Sequence, residues 1–420
     1  GTHPSESVPF IYPDGKNSIV IKGQPDLSKV RTVMLGIRNP LKGTLLNNND
    51  DEQDKTAEVW FNELRVTDFD QRGGWAATAR MNAQLADFGD VTVSANNTTI
   101  GFGSLEQRVS ETRRVDDKSI DVAASLELGK FFPDKTGVKV PVTVNYSTQV
   151  GTPQFDPRQP DIELKTVLNT LSAQEQKDVL DYSQNVTSRK GINFTNIRKI
   201  KTNPNAKTHL WDIENLDASY SYNEFNHRDF VNKENLRKNY RAALGYNYTT
   251  SPKFYSPLQK RIKNNTLALL RDVNFNLLPS LLNFRIEVDR LYSENSLRDN
   301  NDPTNFIPVN TTFNKNFLIN RLYGISWDLT KSLKLDFNAT NLGVVDEPEG
   351  RITGLKRDTL LQNLKKLGRT TDYNHTLNLS YTVPLNKIPG LDFIGLITRY
   401  QTNFNWRSEP LITLDNPDIN

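Results

Sequence analysis

Tyr240-Arg241-Ala242-Ala243-Leu244-Gly245-Tyr246-Asn247-Tyr248-Thr249 alternates two sets of side chains over ten positions. A period of two puts Tyr240, Ala242, Leu244, Tyr246 and Tyr248 on one face of an extended strand. Arg241, Asn247 and Thr249 fall on the other. The rhythm returns elsewhere. Trp75, Ala77, Ala79, Met81, Ala83 and Leu85 alternate with Ala76, Thr78, Arg80, Asn82 and Gln84. Val138, Val140, Val142, Val144 and Tyr146 alternate with Lys139, Pro141, Thr143, Asn145 and Ser147. Strands of soluble sheets run about 5–6 residues, whereas a tilted strand that crosses a bilayer needs about 9–11. Long two-faced strands predict an all-β chain whose main part is a transmembrane antiparallel β-barrel segment, apolar outside and hydrated inside.

Composition narrows the classes. The chain has 420 residues, of which 36% are hydrophobic, and its mean hydropathy is −0.60. The longest apolar runs, such as Leu267–Leu270, fall far short of the about 18 residues of a spanning helix, so a helical membrane protein is excluded. A barrel wall keeps such a composition because half of each strand meets water. The 52 basic and 49 acidic residues leave a net charge of +3, too balanced for a nucleic-acid partner. There is no cysteine, hence neither a disulfide nor a thiolate-held metal. Gly1–Pro4 reads as interior sequence, and Asp415–Asn420 does not read as a closing strand. The chain is expected to be a segment of a longer protein.

Residues 1–70 differ in pattern from the rest. Ser18–Lys22, Val30–Ile37 and Glu58–Val66 are strand-like, and Asn47–Lys55 is an acidic, Asn-rich loop. This part is predicted to be a small β-sandwich-like lobe or a piece of one, with Gln71–Gly74 as the hinge. Residues 71–420 carry about a dozen predicted strands, near 75–85, 91–102, 119–130, 138–150, 216–223, 238–250, 269–277, 282–292, 316–329, 333–341, 373–383 and 393–406. Short connections tend to alternate with long ones, as turns and loops do on opposite sides of a membrane. The long 151–215 loop should hold a short helix over 173–182, because Ser172 and Glu175 have capping-box spacing.

The alternation assigns faces. Trp75, Val140, Val142, Leu244, Phe275, Phe337 and Leu379 are the predicted lipid-facing residues. Tyr222, Tyr248, Trp327, Tyr400 and Trp406 lie toward strand ends, where rings with polar tips favour the headgroup level. Arg80, Lys139, Arg241, Asn247, Glu287 and Lys334 are predicted to face the lumen. The same polar face holds Asp121, Glu127, Arg285, Asp289 and Asp336, a mixed lining that suits a water-filled passage with little ion selectivity.

Motifs of chemistry are weak. Asp87-Phe88-Gly89 has no kinase catalytic loop to accompany it and belongs to a hairpin turn. Gly101-Phe102-Gly103 lacks the following helix that phosphate binding needs. His3, His209, His227 and His375 show no ligand spacing, and Asp50, Asp51, Glu52 and Asp54 lack the glycine and terminal glutamate of a calcium loop. Asn145-Tyr146-Ser147, Asn247-Tyr248-Thr249, Asn338-Ala339-Thr340 and Asn378-Leu379-Ser380 look like glycan acceptors, but small polar residues two apart follow from the strand period. No catalytic residue, metal site or cofactor is expected, and no enzyme activity.

Ordered segments carry a family resemblance. Ala57-Glu58-Val59-Trp60-Phe61-Asn62-Glu63-Leu64-Arg65-Val66-Thr67-Asp68-Phe69 leads into Gly73-Gly74-Trp75-Ala76-Ala77. Phe131-Phe132-Pro133, Lys139-Val140-Pro141-Val142, Thr152-Pro153-Gln154-Phe155-Asp156-Pro157 and Phe275-Asn276-Leu277-Leu278-Pro279-Ser280 follow. Together these resemble the SprA/Sov family, the outer-membrane translocon of type 9 secretion and gliding motility in Bacteroidetes. The resemblance implies one very large single-chain barrel in the cell outer membrane, of which this chain supplies part. It implies export of folded cargo proteins through the pore. The partners it implies are secreted cargo, outer-membrane lipid, a FadL-type outer-membrane barrel, a periplasmic plug protein and a peptidyl-prolyl isomerase. Two other readings make different demands. A self-contained porin-like barrel for small solutes needs the 75–85 strand to pair with the 393–406 strand. A soluble surface adhesin of β-sandwiches needs its apolar faces packed against one another.

Overall fold

The computed structural model describes residues 9–409 other than 16, 24–29, 31, 38–50, 52, 63–71, 105, 108–110, 204–207, 263, 265–266, 300–308 and 389. The chain is all-β, with 53% of it in strands and 13% in helix. No helix among the described residues is long and apolar enough to cross a membrane. The backbone divides into two compact units.

The first unit comprises residues 1–77, 97–117 and 151–184. It opens with a hairpin of β1 (Phe10–Asp14) and β2 (Asn17–Ile21), in register from Phe10–Ile21 to Asp14–Asn17. The described parts of 30–37 and 58–66 are not strands. Among the described residues of 1–70 there is one hairpin, and much of the expected sandwich-like lobe lies outside the described residues. The remainder of Glu58–Val66, much of Asn47–Lys55 and the start of the Gln71–Gly74 hinge lie outside the described residues. Farther on, β8 (Phe155–Asp156) pairs with β9 (Gln159–Glu163) and leads into α1 (Leu164–Asn169) and α2 (Ala173–Ser183). The predicted helix is present with its capping box. Glu175 accepts from the backbone N–H of Ser172 at 2.9 Å, and the Ser172 side chain bonds in return, so two otherwise unsatisfied amides of the first turn are served. The far end of α2 is pinned by Tyr182, whose hydroxyl donates to Asp156 at 3.1 Å while Arg158 lies 3.9 Å above its ring. Burial first, then the Asp156 carboxylate, pushes the Tyr182 phenol up to about 12.

The second unit comprises residues 78–96, 118–150 and 185–420. One antiparallel sheet dominates it. Its strands are β3 (Ala76–Gln84), β4 (Gly89–Thr98), β5 (Val115–Glu127), β7 (Pro141–Pro153), β10 (Asn185–Lys199) and β11 (Leu216–Arg228). They continue as β12 (Asn232–Thr249), β13 (Leu281–Leu297), β14 (Thr312–Asp328), β15 (Leu333–Val344), β16 (Arg369–Val383) and β17 (Leu396–Arg407). Each lies beside the next in chain order, and the short β6 (Val138–Lys139) also pairs with β10. Such a meander needs only local reversals. Gly137 makes one of them. It has a φ of +67°, and a Cβ there would stand 2.1 Å from the Ile200 carbonyl oxygen. Strands β3 and β17 are the two edges, and among the described residues they do not pair with each other. The in-chain closure required by the porin reading is therefore absent there.

Two strand expectations need correction. No strand spans 269–277. That segment holds the single turn α3 (Ala268–Arg271) and one isolated bridge between Phe275 and Tyr255. The run Leu267–Leu270 has no period of two, and helix wins locally. Conversely, the 151–215 segment is not all loop, because β10 is a full member of the sheet. Its alternation breaks at Asn196, which has a φ of +54° and makes a bulge between Phe194 and Ile197. One extra residue shifts the face parity, which hides the strand from a period-two reading. The central strands also run longer than expected: β12 has 18 residues, β13 and β14 have 17 each.

The buried centre of this unit is small. Phe317, Ile319, Val345 and Leu360 form it, with Ile286, Val288, Ile352 and Leu364 packed around them. Leu360 and Leu364 come from α4 (Leu355–Lys365), in the connection from β15 to β16. That connection folds onto one face of the sheet.

Candidate functional site

The register between strands assigns every side chain of β10–β17 to a face. Tyr246, Phe284, Tyr323, Ala339, His375 and Phe404 stand opposite one another in one row across six strands. Tyr248, Leu282, Ile325, Phe337, Leu377 and Thr402 form the next row on that face. Ring contacts knit these rows. Phe284 and Tyr323 have centroids 5.3 Å apart, and His375 and Phe404 also 5.3 Å. The opposite face carries Asn247, Asn283, Gly324, Asn338, Thr376 and Asn403 in a single row. The period of two has thus sorted one sheet into an apolar and a polar surface.

The polar face is a lattice of neutral and mutually cancelling groups. Arg241 donates to Asp289 at 3.0 Å. Arg285 donates to Glu287 at 2.6 Å and to Asp217 at 3.2 Å. Lys334 pairs with Asp336 at 3.5 Å. Ser221 donates to Asn193 at 2.5 Å, and Asn193 donates to Thr143 at 3.4 Å. A Cβ on Gly191 would meet Asn145 Oδ1 at 2.2 Å and Asn223 Oδ1 at 2.7 Å, so glycine lets two amides close over that strand. Pairs this exposed contribute little to stability, about 0–1 kcal/mol each. Their effect is a hydrated surface without a dominant sign.

The sequence-predicted residues fall as follows. The register puts Arg241, Asn247, Glu287 and Lys334 on the polar face, and pairs Lys139 with Arg198 there. Arg80 lies on β3 between Thr78 and Asn82, whose side chains bond to Asn96 at 2.9 Å and Thr92 at 3.0 Å. Glu127 turns back instead, accepting from the Val140 N–H at 2.6 Å and the Gly129 N–H at 3.1 Å. Leu244, Phe337, Leu379, Tyr222, Trp327, Tyr400 and Trp406 share the apolar face. Leu244 is 47% exposed there and Tyr400, on the edge strand, 60%. Trp327 donates its indole N–H to the Asn276 carbonyl at 3.0 Å. Trp75 flanks β3, its N–H donating to Thr99 Oγ1 at 2.8 Å, and Val140 stands in the break between β6 and β7.

Three placements are corrected. Phe275 is not on a wall strand; it stacks on Tyr255 in the connection from β12 to β13, with centroids 6.2 Å apart. Val142 is 4% exposed and Tyr248 2% exposed. Both are enclosed by the protein itself rather than open at its surface. Connections that fold back onto a sheet cover whatever they land on, and strand alternation carries no information about them.

One cluster was missed altogether. Toward the β12 N-terminal end, the apolar face gives way to charge. Leu236 stands opposite Glu294, Lys238 opposite Tyr292, and Tyr240 opposite Arg290. The β15–β16 connection completes the set. Arg290 donates two parallel bonds to Glu347, at 2.6 and 2.7 Å. Arg351 donates to Glu294, which is 2% exposed, and reaches Glu234 at 3.4 Å. Tyr292 donates to Glu294 at 2.8 Å, and Lys315 donates to the Pro348 carbonyl at 2.6 Å and to that of Gly350. A burial cost for each charge is met here by paired, multiply bonded partners. The readable signal was the loss of alternation at Lys238, Arg290 and Glu294, which sit in phase with apolar neighbours.

Among the described residues no group of three or more His, Cys, Asp or Glu could hold a metal ion. The architecture defines an all-β protein whose principal element is a long-stranded antiparallel sheet with one apolar and one hydrated face. Residues 5–168 match the family model SprA_N, described as motility related/secretion protein. This match, over about two-fifths of the chain, supports membership of the SprA/Sov family and a motility- or secretion-related protein. No curated protein matches the chain. The matched stretch ends within α1, so strands β10–β17 lie beyond it.

Proposed function

We propose that this chain forms part of the wall of a protein-conducting outer-membrane pore, used to export folded cargo in type 9 secretion and gliding motility. The carrying observation is the continuous two-faced register from β10 to β17. One face is rich in aromatic and aliphatic side chains at the height where lipid would touch it. From Tyr240 to Tyr248 the apolar face runs about 26 Å along β12, at about 3.3 Å per residue, which at a tilt of about 40° covers about 20 Å of an apolar band about 25 Å tall. The other face offers amides, hydroxyls and cancelling ion pairs, a surface that wets without binding a passing protein tightly. The work is passive and needs no covalent chemistry.

The match of residues 5–168 to the family model supports the secretion context. The proposed partners are secreted cargo, a FadL-type barrel, a periplasmic plug protein, a peptidyl-prolyl isomerase and the lipid itself. The edges β3 and β17, unpaired among the described residues, require further strands in a membrane, since open edges are not tolerated in hydrocarbon.

The chain has no cysteine, so single cysteines along β12 test the reading in the full chain in membranes. Ala242→Cys and Leu244→Cys should react with a lipid-soluble maleimide, and Arg241→Cys and Asn247→Cys with a membrane-impermeant one. Protection of both even-numbered positions from both reagents would instead mean that this face is packed against protein, as in an adhesin sandwich.

A further inference from the structure

A cavity of about 750 Å³ lies between α4 and the sheet, within the second unit. Ligand sites typically measure about 300–1,000 Å³. Its floor is apolar: Val288, Phe317, Ile352, Leu360 and Leu364. Its rim is charged, with Lys238, Arg290, Arg351 and Arg357 beside the carboxylates Glu234 and Glu294. Val288 and Phe317 of the floor come from the sheet, and Ile352, Leu360 and Leu364 from the β15–β16 connection. Arg290 and Arg351 are neutralised by Glu347, Glu294 and Glu234. Arg357 has no carboxylate partner among the described residues, and lines the cavity with an exposed side chain. Leu361, one turn after Arg357 on the same face of α4, also lines the cavity and is exposed.

We propose that this cavity is a binding site for an anionic amphiphile. One acyl chain lies along Val288, Phe317 and Leu360, and its phosphate or carboxylate head is held at the rim by Arg357. The site rests on the reading of this face as lipid-facing, and it adds a discrete lipid position to what would otherwise be a bulk annulus. The head supplies the charge that Arg357 lacks. The chain supplies the apolar surface that the floor lacks. Water meets neither demand on the floor, and a free inorganic anion meets only the first.

The test uses the full chain in lipid vesicles doped with a hexadecyl phosphate bearing a diazirine in its chain. Irradiation followed by peptide mapping should place the label on Ile352 and on 360–364. Arg357→Glu should lower that labelling roughly tenfold, the size expected for losing one charge-assisted contact, whereas Arg357→Lys should retain most of it. The corresponding neutral diazirine-bearing hexadecanol should label the same residues roughly tenfold less. Excess inorganic phosphate should not compete. Equal labelling by the two probes, indifference to Arg357→Glu, or displacement by inorganic phosphate alone would each overturn the proposal. Label on Leu244 but none on α4 would overturn it while leaving the wall reading intact. Label on α4 but none on Leu244 would support the site and remove the wall reading instead.

Discussion

Leu244 and Ile286 stand directly opposite each other across β12 and β13 on the apolar face, while their neighbours Gly245 and Arg285 stand opposite each other on the polar face. A single residue therefore separates two different solvents in the proposed wall. Leu244→Arg should cost roughly 2–4 kcal/mol if its face meets lipid near mid-bilayer, and should reduce assembly. Asn247→Arg, three residues on and on the other face, should be tolerated. The amount of folded protein in the membrane fraction measures both, and equal tolerance would remove the assignment of faces.

The pair Arg290–Glu347 is nearly enclosed, with side-chain exposures of 18% and 3%. Removing one partner leaves a buried charge alone. Arg290→Met should destabilise the α4 connection by about 3–5 kcal/mol, and adding Glu347→Leu should recover most of that. Hydrogen exchange of α4 amides in the two variants checks the difference. A double variant as unstable as the single would mean that the bidentate geometry itself, rather than the orphaned charge, carries the effect.

Tyr182 ties α2 to Asp156. Its phenol is raised from 10.0 to about 12, by burial first and the Asp156 charge second. A group whose folded value lies above its unfolded value contributes stability that is fully present below the unfolded value and is lost as pH rises through the folded one. The first unit should therefore weaken between about pH 10 and 12. Tyrosinate absorbance of the wild type minus that of Tyr182→Phe isolates this group among the 14 tyrosines. A difference titration centred near the ordinary value would contradict the buried placement.

Gly137 closes the reversal before β7 with a φ of +67°, against the Ile200 carbonyl. Gly137→Ala should cost about 1–3 kcal/mol through backbone strain and loosen the Ile200 N–H bond to the Gly137 carbonyl, which is 2.8 Å long. Exchange of the Ile200 amide reports on it directly. Gly390, also at positive φ but with open space around its Cβ position, provides the comparison: strain without collision.

Much of the wall was legible because its rule is local. Tyr240 to Tyr248, Val142 to Tyr146, Leu333 to Phe337 and Leu377 to Tyr381 obey a period of two that needs no partner to be read. The capping box at Ser172 and Glu175 is similarly local, and the helix it starts is present. Phe275 misled because a short apolar run near a proline reads equally as strand or turn. Strand β10 escaped because the bulge at Asn196 shifts its phase. Val142 and Tyr248 sit on the expected face yet are buried, since what lands on a strand is decided elsewhere in the chain.

The sequence by itself determined that this protein is built of long strands with one apolar and one hydrated side, because side-chain alternation is a property of the extended backbone alone. Only the tertiary structure decided that β10 belongs to the sheet and that β3 and β17 remain its edges. It alone brought Arg290, Glu294, Glu347 and Arg351 together under α4. Those contacts join residues about 57 positions apart, and such distant partners are selected by the register of whole strands, which no short window of sequence contains.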